Sequence, residues 1–293
     1  MPQANPCISV ILPARNEAQA LHALLPALQQ VVSSLAGGVE IIVVDDGSED
    51  ATARLAQEAG AVVIRHPYAM GNGAAIKSGA RRATGEILVF MDADGQHDPA
   101  DIPRLLHEIE QGYDMAIGAR SRRGQASFWR HLGNWVYNRL ASLITARPIL
   151  DLTSGFRACR AERFREFLAL LPNGFSYPTT ITMAFLRSGY PVTFIPIEVA
   201  ERVGRSHLRP WRDGIRFLLI IFRIGALFSP LKVFAPIAIF FAVLGLGYYG
   251  FTFMEAKRFT NMSALLLSTS VLVFLMGLLS EQITMLLYSR LER

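Results

Sequence analysis

Cysteine is scarce: Cys7 and Cys159 are the only two in 293 residues. Neither stands in a metal-ligand or redox spacing, so no disulfide framework is implied. Charged residues are few as well, at 18% against 51% hydrophobic. The opening stretch Met1–Val10 lacks the basic region of a secretory leader, and Pro13 and Arg15 interrupt its short apolar run. A signal peptide is therefore not expected, and the N-terminal part is expected to stay in the cytoplasm. No internal repeat and no low-complexity linker divides the chain, which argues against a solenoid or a string of modules.

What the chain does have is an uneven distribution of apolar residues. Mean hydropathy is positive, yet residues 1–210 read as an ordinary α/β protein and the excess lies beyond Trp211. Such a shift marks the border between a water-soluble and a membrane part. Val233–Met254 holds no charged residue, and Ser263–Tyr288 holds one, Glu281. Both are long enough to span a bilayer. Between them and the first part, Trp211–Phe228 carries Arg212, Asp213, Arg216 and Arg223 near one face and Phe, Leu and Ile on the other. That pattern suits a helix lying in the membrane interface, although a core helix with a solvated edge has it too. Phe128–Ile144, with Trp129, Trp135 and Tyr137, is a further expected helix. The expected organisation is a cytoplasmic domain at 1–210, an amphipathic interfacial helix at 211–231 and a two-helix anchor at 232–293. Glu281 is expected to make a hydrogen-bonded contact between the spans, or between subunits of a homo-oligomer.

The formal net charge is +5 and the pI about 9.5. A basic balance fits nucleic acid, an anionic membrane or phosphorylated substrates. Many of the arginines lie between Arg120 and Arg223, beside the apolar tail, which favours membrane and phosphate and argues against nucleic acid. Arg212, Arg216, Arg223, Lys232, Arg290 and Arg293 flank the spans on one side, and only Lys257 and Arg258 lie in the intervening loop. By the positive-inside rule the first domain and the C-terminus face the cytoplasm, at the cytoplasmic membrane.

In the first domain short apolar runs alternate with helical patterns. Strands are expected at Ile8–Leu12, Glu40–Val44, Ala61–Arg65, Glu86–Met91, Asp114–Gly118 and Val192–Val199. Helices are expected at Glu17–Leu35, up to Ala59 behind a Ser48 or Asp50 cap, at Gly73–Ala83 and at Asp101–Gln111. This alternation predicts a mostly parallel sheet with covered faces, whose ligand lies beyond the carboxyl ends of the strands. Polar clusters fall at those ends. Asp92-Ala93-Asp94 ends an apolar strand, and carboxylates two apart on an extended segment point the same way. Such a pair holds a hard divalent cation, Mg²⁺ or Mn²⁺, against a diphosphate, with Gln96 able to add an amide oxygen. Asp45-Asp46-Gly47-Ser48 suits either base and ribose contacts or plain turn chemistry. Pro13-Ala14-Arg15-Asn16-Glu17 reads as a loop with a helix start or as a second part of the same site. Gly71-Asn72-Gly73 opens a helix with Lys77 one turn in, a turn that can approach phosphate.

Together with Ser154-Gly155-Phe156-Arg157 and Arg202-Val203-Gly204-Arg205-Ser206, these motifs stand in an order that resembles the family 2 glycosyltransferases. The likeness is to the dolichol-phosphate mannose synthase and polyprenyl-phosphate glycosyltransferase branch, and it covers about residues 7–210. It implies a GT-A (Rossmann-like) fold followed by interfacial helices and two transmembrane helices, an inverting mechanism and a divalent metal. It implies that Pro13, Arg15, Glu17, Asp45, Asp46 and Lys77 line the nucleotide-sugar donor. Asp92 would lie near the donor and the metal, with Asp94 and Gln96 on the metal. Arg120, Arg157, Arg202 and Ser206 would gather near the diphosphate or the phosphate of a polyprenyl acceptor. The implied reaction moves a mannose- or glucose-type hexose from a GDP- or UDP-linked donor to that lipid. Two departures stand out. His207 occupies a place where relatives often have lysine, and the segment Ser176–Thr182 lacks an acid that many relatives carry. The rival readings are a membrane glycosyltransferase acting on a glycan or lipid hydroxyl, and a non-catalytic membrane scaffold with this fold.

Overall fold

The computed structural model describes residues 8–120, 138, 139, 141, 142, 145, 147–174, 176–200, 222, 225, 226 and 228–289. The chain divides into two compact units, Met1–Leu208 and Arg209–Arg293.

In the first unit strands β1 (Ile8–Ala14), β2 (Val39–Asp45), β3 (Val62–Arg65), β4 (Ile87–Phe90), β5 (Met115–Arg120), β6 (Arg157–Arg160) and β7 (Val192–Ile197) form one sheet in the order β3-β2-β1-β4-β6-β5-β7. β1 pairs in parallel with β2 and β4, as β2 does with β3 and β5 with β7. β6 runs antiparallel to both its neighbours, β4 and β5. The sheet is thus mostly parallel, as expected, with one reversed strand inserted near its middle. β6 carries no strand signal of its own, because Arg-Ala-Cys-Arg is neither apolar nor alternating. Its pairing comes from the neighbours: Phe90 faces Arg157 and Ile117 faces Arg157 across the two ladders.

Six of these strands lie within a few residues of the expected runs. Helices α1 (Ala18–Ser33), α2 (Thr52–Glu58), α3 (Asn72–Arg82) and α4 (Ile102–Glu110) follow β1, β2, β3 and β4. α1 buries Leu21, Leu24, Leu25 and Leu28, and α4 buries Ile102, Leu105, Leu106 and Ile109, the i, i+3, i+4, i+7 stripe that turns one helix face to a sheet. α3 buries Ala74, Ala75, Ile76, Gly79 and Ala80. Small side chains let this helix lie close on the sheet, with Gly79 over Ile11 and Val44. Helices α5 (Ala161–Glu166) and α6 (Tyr177–Arg187) complete the described part of this unit. Of the two residues expected to cap α2, Asp50 is the one engaged, one position ahead of the N-cap Ala51. Asp50 accepts the Thr52 N–H at 3.0 Å, whereas Ser48 turns to the neighbouring loop.

In the second unit two long helices, α7 (Pro230–Ala256) and α8 (Asn261–Ser289), pack as a hairpin. Both are long and apolar enough to cross a membrane. α7 begins at Pro230, so the last two residues of the expected interfacial segment belong to this span. Of that segment, only Phe222, Gly225, Ala226 and residues from Phe228 on are described; of the expected helix Phe128–Ile144, only 138, 139, 141 and 142 are. Gly245 packs on Leu267 and Gly277 on Phe234, the close approach that small residues permit between spans. The Ser270 hydroxyl donates to Ala238 O at 2.7 Å, and Glu281 Oε2 accepts the Leu231 N–H at 3.3 Å. The contact expected of Glu281 is therefore made between the two spans.

Candidate active site

Six strands end, and the reversed β6 begins, at one edge of the sheet. β2 delivers Asp45 and Asp46 there, β4 delivers Asp92 and Asp94, β5 delivers Arg120, and the approach to β6 delivers Ser154 and Gly155.

The loops after β1 and β2 are stitched together. Ser48 Oγ accepts the Asn16 N–H at 2.9 Å, Asn16 Oδ1 accepts the Glu49 N–H at 2.9 Å, and Thr52 Oγ1 accepts the Glu17 N–H at 3.0 Å. Asp45 is fully buried; its Oδ1 accepts the Ser48 N–H at 2.9 Å, and its Oδ2 faces Arg65 Nε at 3.3 Å. Gly47 has φ +69°, and a Cβ there would meet the Tyr68 carbonyl carbon at 2.7 Å, so glycine is required on both counts. Beside these loops opens a cleft of about 650 Å³ lined by Arg15, Ser48, Glu49, Arg65, His66 and Tyr68 among others. Pro13, in β1, and Glu17, ahead of α1, stand next to it in sequence.

Asp46 turns the other way. Its Oδ1 accepts the Met70 N–H at 2.8 Å and meets His66 Nδ1 at 2.7 Å, and its Oδ2 accepts the Gly71 N–H at 2.8 Å. Burial raises its pKa, but His66 and these backbone donors outweigh that and hold the carboxyl below the usual range. Lys77 donates to Leu171 O at 3.0 Å and to Asn173 Oδ1 at 2.5 Å. Gly71 and Gly73 likewise face the backbone of residues 172–174. The glycine turn and its lysine are thus engaged by protein in this structure.

Asp92 and Asp94 both stand at the end of β4. Burial, with Asp94 adding to it, holds the Asp92 carboxyl above its usual range, although His97, the Asn72 amide and Arg120 pull it down. Two carboxylates that oppose each other's ionisation in a partly enclosed site are what a cation relieves. Gln96 lies on the next turn, its backbone N–H on Asp94 Oδ1 at 3.2 Å and its Nε2 on Ala200 O at 3.4 Å, which leaves its amide oxygen uncommitted among the described residues. No group of three or more His, Cys, Asp or Glu side chains placed to hold a metal occurs among the described residues. Two carboxylates and an amide oxygen fit an ion that takes one or two carboxylates from the protein and completes its shell with substrate phosphate and water, as Mg²⁺ does. Gly155 explains itself here: a Cβ would meet Asp92 Oδ2 at 2.5 Å.

The arginines divide. Arg120 grips Asp151 in a fork, Nε to Oδ2 at 2.7 Å and Nη2 to Oδ1 at 2.9 Å, with Thr153 Oγ1 also on Nη2. Arg157 is fully buried in the sheet. It donates to Thr182 Oγ1 at 3.0 Å, Pro178 O at 3.2 Å and Ser154 O, and its guanidinium carbon lies 5.8 Å from the Tyr177 ring centroid. Burial pulls its pKa down, outweighing the pull of Tyr177, Cys159, Asp151 and Asp92 in the other direction. Arg157 thus locks α6 and the Ser154 turn to β6. Arg202, Ser206 and His207 lie outside the described residues. Sequence reasoning passed over His66, Tyr68, Asp151 and Thr153. His66 and Tyr68 follow the third strand immediately, and that position was the available signal.

With the geometry in view, comparison with known proteins is direct. The model of glycosyl transferase family 2 matches residues 9–168, and that of the GtrB C-terminal hairpin matches residues 229–286. The undecaprenyl-phosphate 4-deoxy-4-formamido-L-arabinose transferase of Pseudomonas fluorescens is 32% identical over 82% of this chain and 70% of its own length. The dolichyl-phosphate hexose transferase of Haloferax volcanii is 30% identical over 71% of this chain and 89% of its own. Glucosyl-3-phosphoglycerate synthase from Mycobacterium tuberculosis, solved with Mn²⁺, UDP and phosphoglyceric acid, shares the fold with a TM-score of 0.60 at 23% identity, over 76% of this chain and 78% of that one.

Proposed function

The chain belongs to glycosyl transferase family 2, and on that premise we propose that it moves a sugar from a nucleotide-sugar to a polyprenyl phosphate at the membrane. The observation that carries this reading is the pairing of Asp92 and Asp94 at the end of β4 with a cleft at the ends of β1, β2 and β3, in a chain that ends in a hairpin long enough to span a bilayer. In this reading the nucleotide occupies the cleft lined by Arg15, Ser48 and Tyr68, next to the end of β2 that carries Asp45. Asp94, Asp92 and Gln96 would hold a divalent ion, Mg²⁺ or Mn²⁺, which would supply positive charge opposite the departing diphosphate.

The acceptor needs little activation. A phosphate monoester is ionised at neutral pH, so the protein has chiefly to place it and to offset repulsion between two anions. We assign that task to Arg202 and Ser206, with Arg120, anchored by Asp151, contributing positive field beside Asp92. Arg157 acts from within the sheet, where it ties the Ser154 turn and α6 to β6. The basic flanks of the spans favour a cytoplasmic catalytic unit.

The test is nucleotide release from UDP- and GDP-linked hexoses, with and without polyprenyl phosphate and Mn²⁺. Release that needs both the lipid and the metal is expected, and EDTA or Asp94→Asn abolishes it. Release that is indifferent to the lipid overturns the acceptor assignment, and full activity after thorough metal removal overturns the metal. Arg202→Lys is expected to cut transfer to the lipid severely while donor binding survives, because lysine cannot reproduce the forked contact with phosphate.

A further inference from the structure

We infer that His66 is a positioning residue for donor binding: through Asp46 it sets the shape of the loop that walls the nucleotide cleft. This rests on the donor-site reading above and adds to it a residue that no motif singled out.

Residues 66–71 connect β3 to α3 without regular secondary structure, so their course depends on individual hydrogen bonds. Asp46 supplies most of them, taking the Met70 and Gly71 N–H groups and His66 Nδ1 on its two oxygens. His66 is held at every polar atom that faces inward. Its N–H donates to Asp45 O at 2.8 Å, its Nδ1 lies 2.7 Å from Asp46 Oδ1, and its Nε2 lies 2.9 Å from Ser78 Oγ on α3. A carboxylate only accepts, so Nδ1 carries the hydrogen, and Nε2 of a neutral ring accepts from the Ser78 hydroxyl. Both His66 and Asp46 are buried, at 7% and 5% exposure.

The loop so held faces the cleft. His66, Pro67, Tyr68 and Ala69 line it, and the Tyr68 side chain stands 67% exposed there. At its far end Gly71 leads into Asn72, whose amide favours the ionised form of Asp92. One buried imidazole therefore ties the wall of the nucleotide cleft to Asp46 at the end of β2 and to Ser78 on α3. Its loss leaves Asp46 its two backbone donors, so the loop persists with its aim relaxed, and the effect falls on donor affinity.

Three variants of the full chain in detergent separate the two bonds. An asparagine amide reaches the Nδ1 position and keeps the bond to Asp46. A glutamine amide reaches the Nε2 position and keeps the bond to Ser78. Titration calorimetry with UDP and with GDP, each with Mn²⁺, is expected to show His66→Ala and His66→Gln weakening the bound nucleotide at least ten-fold, and His66→Asn staying within three-fold of wild type. Donor KM follows the same order, while KM for the lipid phosphate holds within two-fold. A purely structural role would lower the unfolding temperature of the variants and leave nucleotide affinity of the folded protein unchanged. Equal affinities for the Asn and Gln variants overturn the inference, whether or not the Ala variant folds. A wild-type chain that binds neither nucleotide overturns the donor-site reading and this inference together.

Discussion

Asp151→Asn probes the Arg120–Asp151 fork beside Asp92, one of the proposed metal pair. The carboxylate is 8% exposed and the guanidinium 29%, and two charged hydrogen bonds of 2.7 and 2.9 Å join them. Burial alone would raise the Asp151 pKa, yet the Arg120 hydrogen bond and charge hold it below the usual range. Breaking a buried pair by neutralising one partner typically costs ~3–5 kcal/mol, because the other charge is left uncompensated. The lower end applies here, since Arg120 reaches solvent and an amide keeps one acceptor. For a unit of this size each kcal/mol moves Tm by ~2–4 °C, so Asp151→Asn should lower Tm by ~6–12 °C at pH 7. The pH dependence has a definite sign. A carboxyl whose folded pKa is depressed contributes fully above its unfolded value, near 3.9, and loses that contribution as pH falls through the lower folded value. The gap between wild type and variant should therefore hold from pH 7 to about 5 and close in more acidic buffer. Differential scanning fluorimetry of the full chain in detergent, with parallel far-ultraviolet circular dichroism, measures both. A Tm within 2 °C of wild type at pH 7, or a gap that widens towards acid, refutes the reasoning.

Gly155→Ala should lower kcat at least ten-fold with Tm little changed, because its Cβ would push Asp92 aside and displacement on the order of 1 Å at a reacting centre costs up to ~10²-fold; an active Gly155→Ala enzyme contradicts the tight approach. Cys159 is fully buried and burial pushes its thiol pKa far up, so in a Cys7→Ser background iodoacetamide should label it only after denaturation, as mass spectrometry would read. Removing the Glu281 carboxylate in Glu281→Leu takes away the acceptor of the Leu231 N–H at the start of the first span and should cost ~1–3 kcal/mol of detergent stability with donor affinity untouched. Ser270→Ala, which deletes the bond to Ala238 O, should cost less, about 0.6 kcal/mol; if the two variants unfold alike, the Glu281 contact is not a special one.

The sequence by itself determined the alternation of the first unit, six of the seven strands, the edge at which the motifs gather, and both spans. These are local properties: apolar runs, helical stripes and uninterrupted length act through nearest neighbours and are readable in one dimension. The tertiary structure decided the rest. β6 is a strand because β4 and β5 flank it and satisfy its backbone, not because Arg-Ala-Cys-Arg prefers to be extended. For the same reason Arg157, which looks like a phosphate-binding arginine in a motif, is a buried one that ties α6 to the sheet. Asp45 and Asp46 are adjacent in sequence yet face opposite ways, one towards Ser48 and Arg65, the other towards the loop at 66–71. Strand alternation makes such divergence natural, but only the position of His66, twenty residues on, turns it into two separate tasks.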